Sequence, residues 1–175
     1  MHEAPTSRDA HETEPFSLNS AIRMLLLMFR MLENWYAVAA DRVVEVVPRV
    51  ELRAVPHAPG PLAGLFRYRG RVVPVVDLGL LMGGPACRPR LSTRIIVADG
   101  APKGSESREW IGLVAEHVND VRKVAEGDVV SVPVRLGQAP YLGPIVQSRE
   151  QIIQLIELEH VLSGSLRGAL PAEEA

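Results

Sequence analysis

The stretch that most constrains the fold of this chain is RYRGRVVPVVDL, from Arg67 to Leu78. Four of the five residues from 72 to 76 are valine, and β-branched side chains favour a strand over a helix. Because the run is apolar on both faces, we expect other parts of the protein to pack on both faces of the strand, as in a small barrel or a sandwich core. Pro74 cannot donate a ladder hydrogen bond, which predicts a sheet edge or a bulge. Asp77 closes the run, where it could cap a short helix over residues 78–82.

A second copy of this block lies later in the chain. Residues 148–161 repeat the pattern of residues 68–81, and residues 110–121 repeat the pattern of residues 35–46. Equivalent positions include Arg69 and Arg149, Val76 and Ile156, Asp77 and Glu157, and Trp35 and Trp110. Two pairs of similar segments in the same order favour a duplication and predict two similar all-β halves. Chance similarity of short strands is the alternative.

Composition narrows the class of protein. The chain has 175 residues and a formal net charge of −2, so no global field recruits nucleic acid or an anionic membrane. No segment approaches the roughly 20 apolar residues of a membrane helix. No basic region of a secretory signal precedes the short apolar run near the start. The single cysteine, Cys87, excludes an internal disulfide and suits a reducing compartment, so we expect a cytoplasmic protein.

The chain divides by composition into three parts. The predicted units are a disordered leader at residues 1–22, a folded region at 23–163 with subdomains near 23–90 and 91–163, and a frayed tail at 164–175. The Pro- and Gly-rich segment GGPACRPR connects the two subdomains. The strand pattern begins only at Met24, so translation that starts at Met24 is an alternative hypothesis.

The folded region is predicted to contain a series of short strands. Residues 24–32 and 35–39 are predicted to form a hairpin with its turn at Glu33-Asn34. Residues 41–47 suit either a helical turn or a strand, and residues 50–55 alternate as a half-exposed strand should. Further strands are predicted at residues 93–98, 110–115, 118–124 and 129–134.

The sequence contains few motifs that indicate a catalytic, nucleotide-binding or metal-binding site. It has no GxGxxG or P-loop pattern and no Cys/His spacing that fits zinc, so we expect no cofactor, no metal and no enzyme. His57, His117 and His160 lie in separate segments. Asp77 and Glu157 could be imagined as paired carboxylates, but the repeat places them in different halves. Helix capping is therefore the favoured role of both.

One local cluster combines positive charge with an aromatic ring, at residues 67–71. It could contact nucleic acid or an acidic partner, or it could be a solvated turn. Single-strand binders need several stacking aromatics, and aromatics are only 5% of this chain. Alternatively, Arg69 folds back to pair with an acid such as Glu45, since a half-buried arginine needs a carboxylate partner.

The order of these features resembles the CheW family of chemotaxis coupling proteins. The resembling elements are MLLLMF, WYAVA, VVEV with Glu45, VPHAP, GLF, RGRVVPVVDL, TRIIVA, WIGLVAEHVNDV and YLG, within residues 24–163. The family usually has Asn-Leu-Arg-Gly where this chain has Arg-Tyr-Arg-Gly at residues 67–70. With the polar leader and the loop after Pro102, this departure points toward a divergent coupling protein of a Wsp-type surface-sensing or motility pathway.

The resemblance implies an all-β fold of two SH3-like five-stranded β-barrels packed side by side, with short helical turns. It implies a non-catalytic adaptor that couples a methyl-accepting chemoreceptor to a CheA-type histidine kinase, at receptor arrays on the inner face of the membrane. The expected partners are the regulatory domain of the kinase, the cytoplasmic tip of the receptor and other CheW-like adaptors. Neither nucleic acid binding nor membrane insertion is expected. A β-barrel that binds nucleic acid or a small ligand is the alternative class.

The receptor tip, as a helical hairpin, should dock through apolar side chains in a groove. The candidates are valines in and beside the two matched Trp segments, namely Val38, Val43, Val46, Val114, Val118 and Val121. Core filling is the alternative for each, since valine is commonly buried. Glu45 and Arg69, the latter next to Gly70, are expected to pair and to shape the binding surface.

Overall fold

The computed structural model describes residues 23–118, 120–131, 137–147 and 151–162. The predicted leader and tail lie outside these ranges. The strands are β1 (Arg23–Met31), β2 (Asn34–Ala39), β3 (Val43–Pro48), β4 (Leu62–Tyr68), β5 (Arg71–Asp77), β6 (Arg94–Asp99), β7 (Trp110–Ala115), β8 (Asp120–Ala125), β9 (Val129–Val130), β10 (Leu142–Gln147) and β11 (Ile152–Ile156). One short helix, α1 (Leu78–Leu81), and 3₁₀ turns at Ala40–Arg42, Glu126–Asp128 and Leu158–His160 complete the described elements.

The strands form two sheets. Sheet 1 has the order β8-β1-β2-β11-β10-β9, and sheet 2 has the order β3-β6-β7-β5-β4. The predicted all-β fold class with short helical turns is therefore confirmed. Sheet 2 has the expected five strands, whereas sheet 1 gains a sixth strand, the two-residue β9.

Each sheet takes strands from both halves of the chain. Sheet 1 contains β1 and β2 from the first half with β8 to β11 from the second, and sheet 2 contains β3 to β5 with β6 and β7. The predicted subdomain boundary between residues 90 and 91 therefore does not coincide with the two sheets. The reason is that the strand after each Trp strand crosses over: β3 pairs with β6, and β8 pairs with β1.

The pairing registers of the two sheets correspond position for position. In sheet 2 the parallel pair β5–β7 places Val75 opposite Gly112, and in sheet 1 the parallel pair β11–β2 places Leu155 opposite Ala37. These are the positions that the sequence repeat equates. The antiparallel pairs agree as well, with Val47 opposite Ile95 in sheet 2 and Arg122 opposite Leu26 in sheet 1. The registers thus support the duplication, in an exchanged arrangement that the sequence did not reveal.

Strand β1 is buried on both faces because it separates two apolar clusters. Leu27 and Phe29 belong to the larger cluster, which also contains buried residues of sheet 2 such as Ile96. Leu26 and Met28, which alternate with them, belong to a smaller cluster built from strands of sheet 1. Alternate residues of a strand point to opposite faces, so β1 forms part of both cores.

Several strand boundaries differ from the predictions. The β1–β2 turn lies at Leu32 and Glu33, whose φ angles are 47° and 67°, because Asn34 is already paired with Met31. Residues 50–55, predicted as a strand, contribute only an isolated bridge from Arg53 to Leu65. The other differences are a 3₁₀ turn before β3, a later start of β8 and a shorter β9, with residues 132–134 outside the described ranges.

The organising block forms the β4–β5 hairpin and helix α1. Pro74 does not lie on an edge strand, since β5 runs between β7 and β4, and the bulge lies in β4 between Leu62 and Gly64. Pairing with β7 begins only at Val75, so Pro74 is paired on one side alone, with Leu65. This local one-sided pairing is how the strand accommodates a residue without an N–H group.

Asp77 caps helix α1, as predicted. Its Oδ1 atom accepts a hydrogen bond from the Leu80 backbone N–H at 3.2 Å. Its Oδ2 atom also accepts from the Cys87 N–H at 3.0 Å, which ties the connection after α1 to the end of β5. Asp77 is only 2% exposed, and these hydrogen bonds offset the free-energy cost of burying its side chain.

Candidate partner-binding site

The tip of the β4–β5 hairpin is a two-residue turn at Arg69 and Gly70. Their φ angles are 46° and 81°, and Tyr68 pairs with Arg71 across the turn. Left-handed conformations at both central residues are typical of a type I′ turn, in which Asn-Gly is the preferred sequence. An arginine in this conformation has a steric cost of about 1–2 kcal/mol.

Glu45 of β3 holds the turn through two side chains. Arg69 Nη2 lies 2.9 Å from Glu45 Oε2, and the Tyr68 hydroxyl donates a hydrogen bond to the same oxygen. The Arg69 guanidinium lies over the Tyr68 ring, 5.1 Å from its centroid. The structure therefore brings together the two residues that the sequence paired. Tyr68 is a third member that sequence reasoning missed.

The network shifts the pKa values of its two acids in opposite directions. The Tyr68 hydrogen bond and the Arg69 charge hold the pKa of Glu45 below its ordinary value. Burial, and then the bond to Glu45, raises the pKa of Tyr68. The proton therefore stays on the Tyr68 hydroxyl and the Glu45 carboxylate stays ionised at neutral pH, which keeps both bonds to Glu45 charge-assisted.

Aromatic rings lie beneath this network. The Trp110 ring meets the Tyr68 ring edge-on with centroids 5.5 Å apart, and the Phe66 and Tyr68 centroids are 6.0 Å apart. The Arg71 guanidinium lies over the Trp110 ring, 4.9 Å from its centroid. Two of the three rings thus carry an arginine over one face. The contact of Arg71 with Trp110 was also missed, since the two are distant in sequence.

The six candidate valines have three different environments. Val38 and Val114 are fully buried in the larger cluster, Val43 and Val118 are half-buried against it, and Val46 and Val121 are 37% and 56% exposed. Burial gives Val38 and Val114 the core-filling role that the sequence kept as the alternative. The structure therefore does not place all six on one surface.

Val46 and Val121 occupy corresponding positions in the two sheets. Val46 of β3 pairs with Ile96, and Val121 of β8 pairs with Leu27. Both strands lie at an edge of their sheets. These two are the most exposed of the six candidates, and each lies at the same place on its exchanged strand.

Of the remaining residues considered from the sequence, Cys87, Glu157 and His160 have structural partners. Cys87 is buried, its thiol donates to the Val114 carbonyl at 3.3 Å, and burial raises its pKa to about 12. Glu157 makes no cap bond to its 3₁₀ turn; its Oε2 lies 2.9 Å from His160 Nδ1 instead. His57 and His117 lie at left-handed positions of turns. Across residues 23–162 with the gaps given above, no group of three potential metal ligands is found.

None of the helices in the described ranges is long and apolar enough to cross a membrane.

Comparison with known proteins gives a consistent result. A family model described as CheW-like domain matches residues 25–165. The chain is 27% identical over 146 residues to the chemotaxis protein CheW of Rhizobium meliloti (strain 1021), covering 82% of this chain and 90% of that protein. It is 26% identical over 147 residues to protein FrzA of Myxococcus xanthus, covering 81% and 87%.

The fold also matches a solved structure, the crystal structure of scaffolding protein TtCheW from Thermoanaerobacter tengcongensis. The TM-score is 0.70 at 22% identity, and the match covers 91% of this chain and 96% of that chain. At this identity the likeness concerns the fold. These matches do not distinguish a Wsp-type pathway from other chemosensory pathways.

Proposed function

The chain belongs to the family of CheW-like domain proteins, and on that premise we propose that it is a non-catalytic adaptor in chemosensory signalling. The observation that carries the proposal is the family match over residues 25–165, which includes every described strand from β2 onward and most of β1. In this role the protein contacts a methyl-accepting chemoreceptor and a CheA-type histidine kinase together, at receptor arrays on the inner face of the membrane. Kinase activity then depends on the state of the receptor, because the adaptor contacts both partners and couples them.

Two features of the structure support a role in binding. Val46 and Val121 expose apolar side chains on edge strands, where side chains of a helical partner could pack. Beside Val46, Glu45 holds Arg69 in a conformation that is unfavourable for arginine. A strained residue that is held in place by its surroundings is typical of functional sites. We assign the receptor contact to the exposed valines with half-buried Val43 and Val118 beside them.

The test is a reconstitution from purified parts. The protein is mixed with the cytoplasmic fragment of a chemoreceptor and the CheA-type kinase of the same genome, and autophosphorylation of the kinase is measured. We expect the receptor to change the rate only when the adaptor is present. An unchanged rate, together with no capture of either partner by the adaptor, would refute the proposal.

A further inference from the structure

Three arginines project from the β4–β5 hairpin: Arg67, Arg69 and Arg71. All three are exposed. Residues that pair across a hairpin point to the same face, so Arg71 shares a face with Tyr68, and Arg67 shares the opposite face with the exposed Val72. Arg69 lies at the tip between them. We call these three residues the arginine tip.

The arginine tip has more positive charge than its bonded carboxylate neutralises. Glu45 bonds Arg69, and the ion pair is itself well exposed, with side-chain exposures of 61% for Arg69 and 43% for Glu45. Within the described part of the chain, Arg67 makes no hydrogen bond, ion pair or ring contact. Arg71 lies over the Trp110 ring, a contact that leaves its N–H groups able to donate. The tip therefore presents a cation stacked on an aromatic ring on one face and an unengaged cation on the other.

The chemistry of the tip favours carboxylates on a protein over nucleic acid. A nucleic-acid binder uses open aromatic faces on which bases stack. Here Arg69 lies over the Tyr68 ring and Arg71 lies over the Trp110 ring. Glu45 adds a negative charge at the centre of the tip, which repels a continuous phosphate backbone. A short acidic segment can instead place separate carboxylates on Arg67 and Arg71 and leave Glu45 to Arg69.

We infer that the arginine tip is a docking surface for an acidic protein segment, whose carboxylates bind Arg67 and Arg71. The inference rests on the proposed adaptor function only in taking the occupant to be a protein. It adds the chemistry of that partner, and it assigns a role to the two arginines that flank the Glu45–Arg69 pair.

The test measures binding of a labelled oligoglutamate peptide to the full chain by fluorescence anisotropy at low salt. The variants are Arg67→Ala and the double variant Arg67→Ala/Arg71→Ala, each checked for an unchanged melting transition. The matched control is Arg88→Ala/Arg90→Ala, which removes the same charge beyond helix α1, at the other end of β5. A single-stranded oligonucleotide of equal charge is titrated in parallel.

We expect the double variant to bind oligoglutamate about 2- to 30-fold more weakly, from two exposed ion pairs, while the control binds as wild type does. Arg67→Ala alone should show part of the loss even if the double variant is unstable. Equal weakening in the control, or no peptide binding by wild type, would overturn the inference. Tighter binding of the oligonucleotide, lost in the same variants, would assign the tip to nucleic acid instead. If the protein does not bind oligoglutamate but still captures the receptor and the kinase, the inference about the arginine tip is wrong and the proposed adaptor function is unaffected.

Discussion

Tyr68 and Glu45 lie on the two edge strands of the same sheet and are joined by a hydrogen bond. Strand β4 ends the order of sheet 2 on one side and β3 ends it on the other. The bond therefore requires the sheet to curl until its edges approach. Because Arg69 binds the same carboxylate oxygen, the closure of the sheet and the conformation of the hairpin tip depend on one side chain, Glu45.

Replacing Arg69 should separate stability from binding. Asn is well suited to the first central position of a type I′ turn, so Arg69→Asn relieves backbone strain while it removes the bond to Glu45. We expect a melting temperature close to wild type and a loss of partner capture. Gly70→Ala is the contrasting variant, because a left-handed alanine costs about 1–2 kcal/mol, and its urea midpoint should fall. A large loss of stability in Arg69→Asn would contradict this account.

The pairing of Glu45 with Arg69 predicts partial rescue by exchange of charge. Arg69→Glu and Glu45→Arg should each weaken capture of the receptor fragment or the kinase. The double exchange should recover part of the loss, measured as a coupling in a double-mutant cycle. Strictly additive losses would mean that Arg69 contacts the partner by itself. The Tyr68 hydroxyl bonds Glu45 as well, so recovery should be incomplete.

A Val→Asp series should separate the two buried candidate valines from the two exposed ones. At Val38 and Val114, which are fully buried, an unpaired carboxylate costs several kcal/mol and should unfold the protein. At Val46 and Val121, which are exposed, the melting transition should stay near wild type while receptor capture is lost. Thermal melts and pull-downs of the same preparations check both results. Normal capture by both exposed variants would place the receptor contact elsewhere.

Alkaline titration should show that the tyrosines of the folded protein ionise at a raised pH. Burial raises the pKa of Tyr36, Tyr68 and Tyr141, so tyrosinate absorbance should appear at higher pH in the native protein than in urea. A raised folded-state pKa contributes stability below the unfolded pKa, and this contribution is lost as pH rises through the folded value. Glu45→Gln should lower the pKa of one tyrosine, Tyr68, because an anionic acceptor disappears. Identical native titrations of both proteins would argue against the Tyr68–Glu45 bond in solution.

The single thiol offers a direct measure of local stability. Burial raises the pKa of Cys87 to about 12, so alkylation at neutral pH should require opening of the structure. Asp77→Ala removes the helix cap, worth about 1 kcal/mol, and leaves the buried Cys87 N–H unpaired at about 1–3 kcal/mol. We expect faster alkylation and a lower urea midpoint in this variant. Rapid alkylation of the wild-type protein would show that the thiol is not protected.

Local features of the fold could be predicted because local chemistry determines them. The strand at Trp110–Ala115 follows from a short apolar run, and the Asp77 cap follows from an acid placed just before a helix. The Tyr68–Glu45 bond could not be predicted, because it exists only once the sheet has curled. The only sequence signal was a hydroxyl next to the Arg-Gly turn, where the family usually has leucine.

The exchange of strands between the halves could not be predicted from the sequence either. The repeat identifies which segments are alike, but it does not say which copy of a partner each segment pairs with. Strand β3 could in principle pair with β1, as a half folding by itself would require, or with β6, and the two arrangements use equivalent residues. Val46 is exposed because of the face that it takes in its strand, and Val38 is buried because it belongs to the larger cluster.

The exchange has a mechanical consequence. The chain passes from sheet 1 to sheet 2 after β2 and back again after β7, so two covalent crossings tie the sheets together. A force applied to either sheet is transmitted along the backbone to the other, and separating the sheets would strain both connections. The larger apolar cluster also packs Leu27 and Phe29 of sheet 1 with Ile96 of sheet 2, so partners bound on β3 and on β8 would be held by two sheets that share one core.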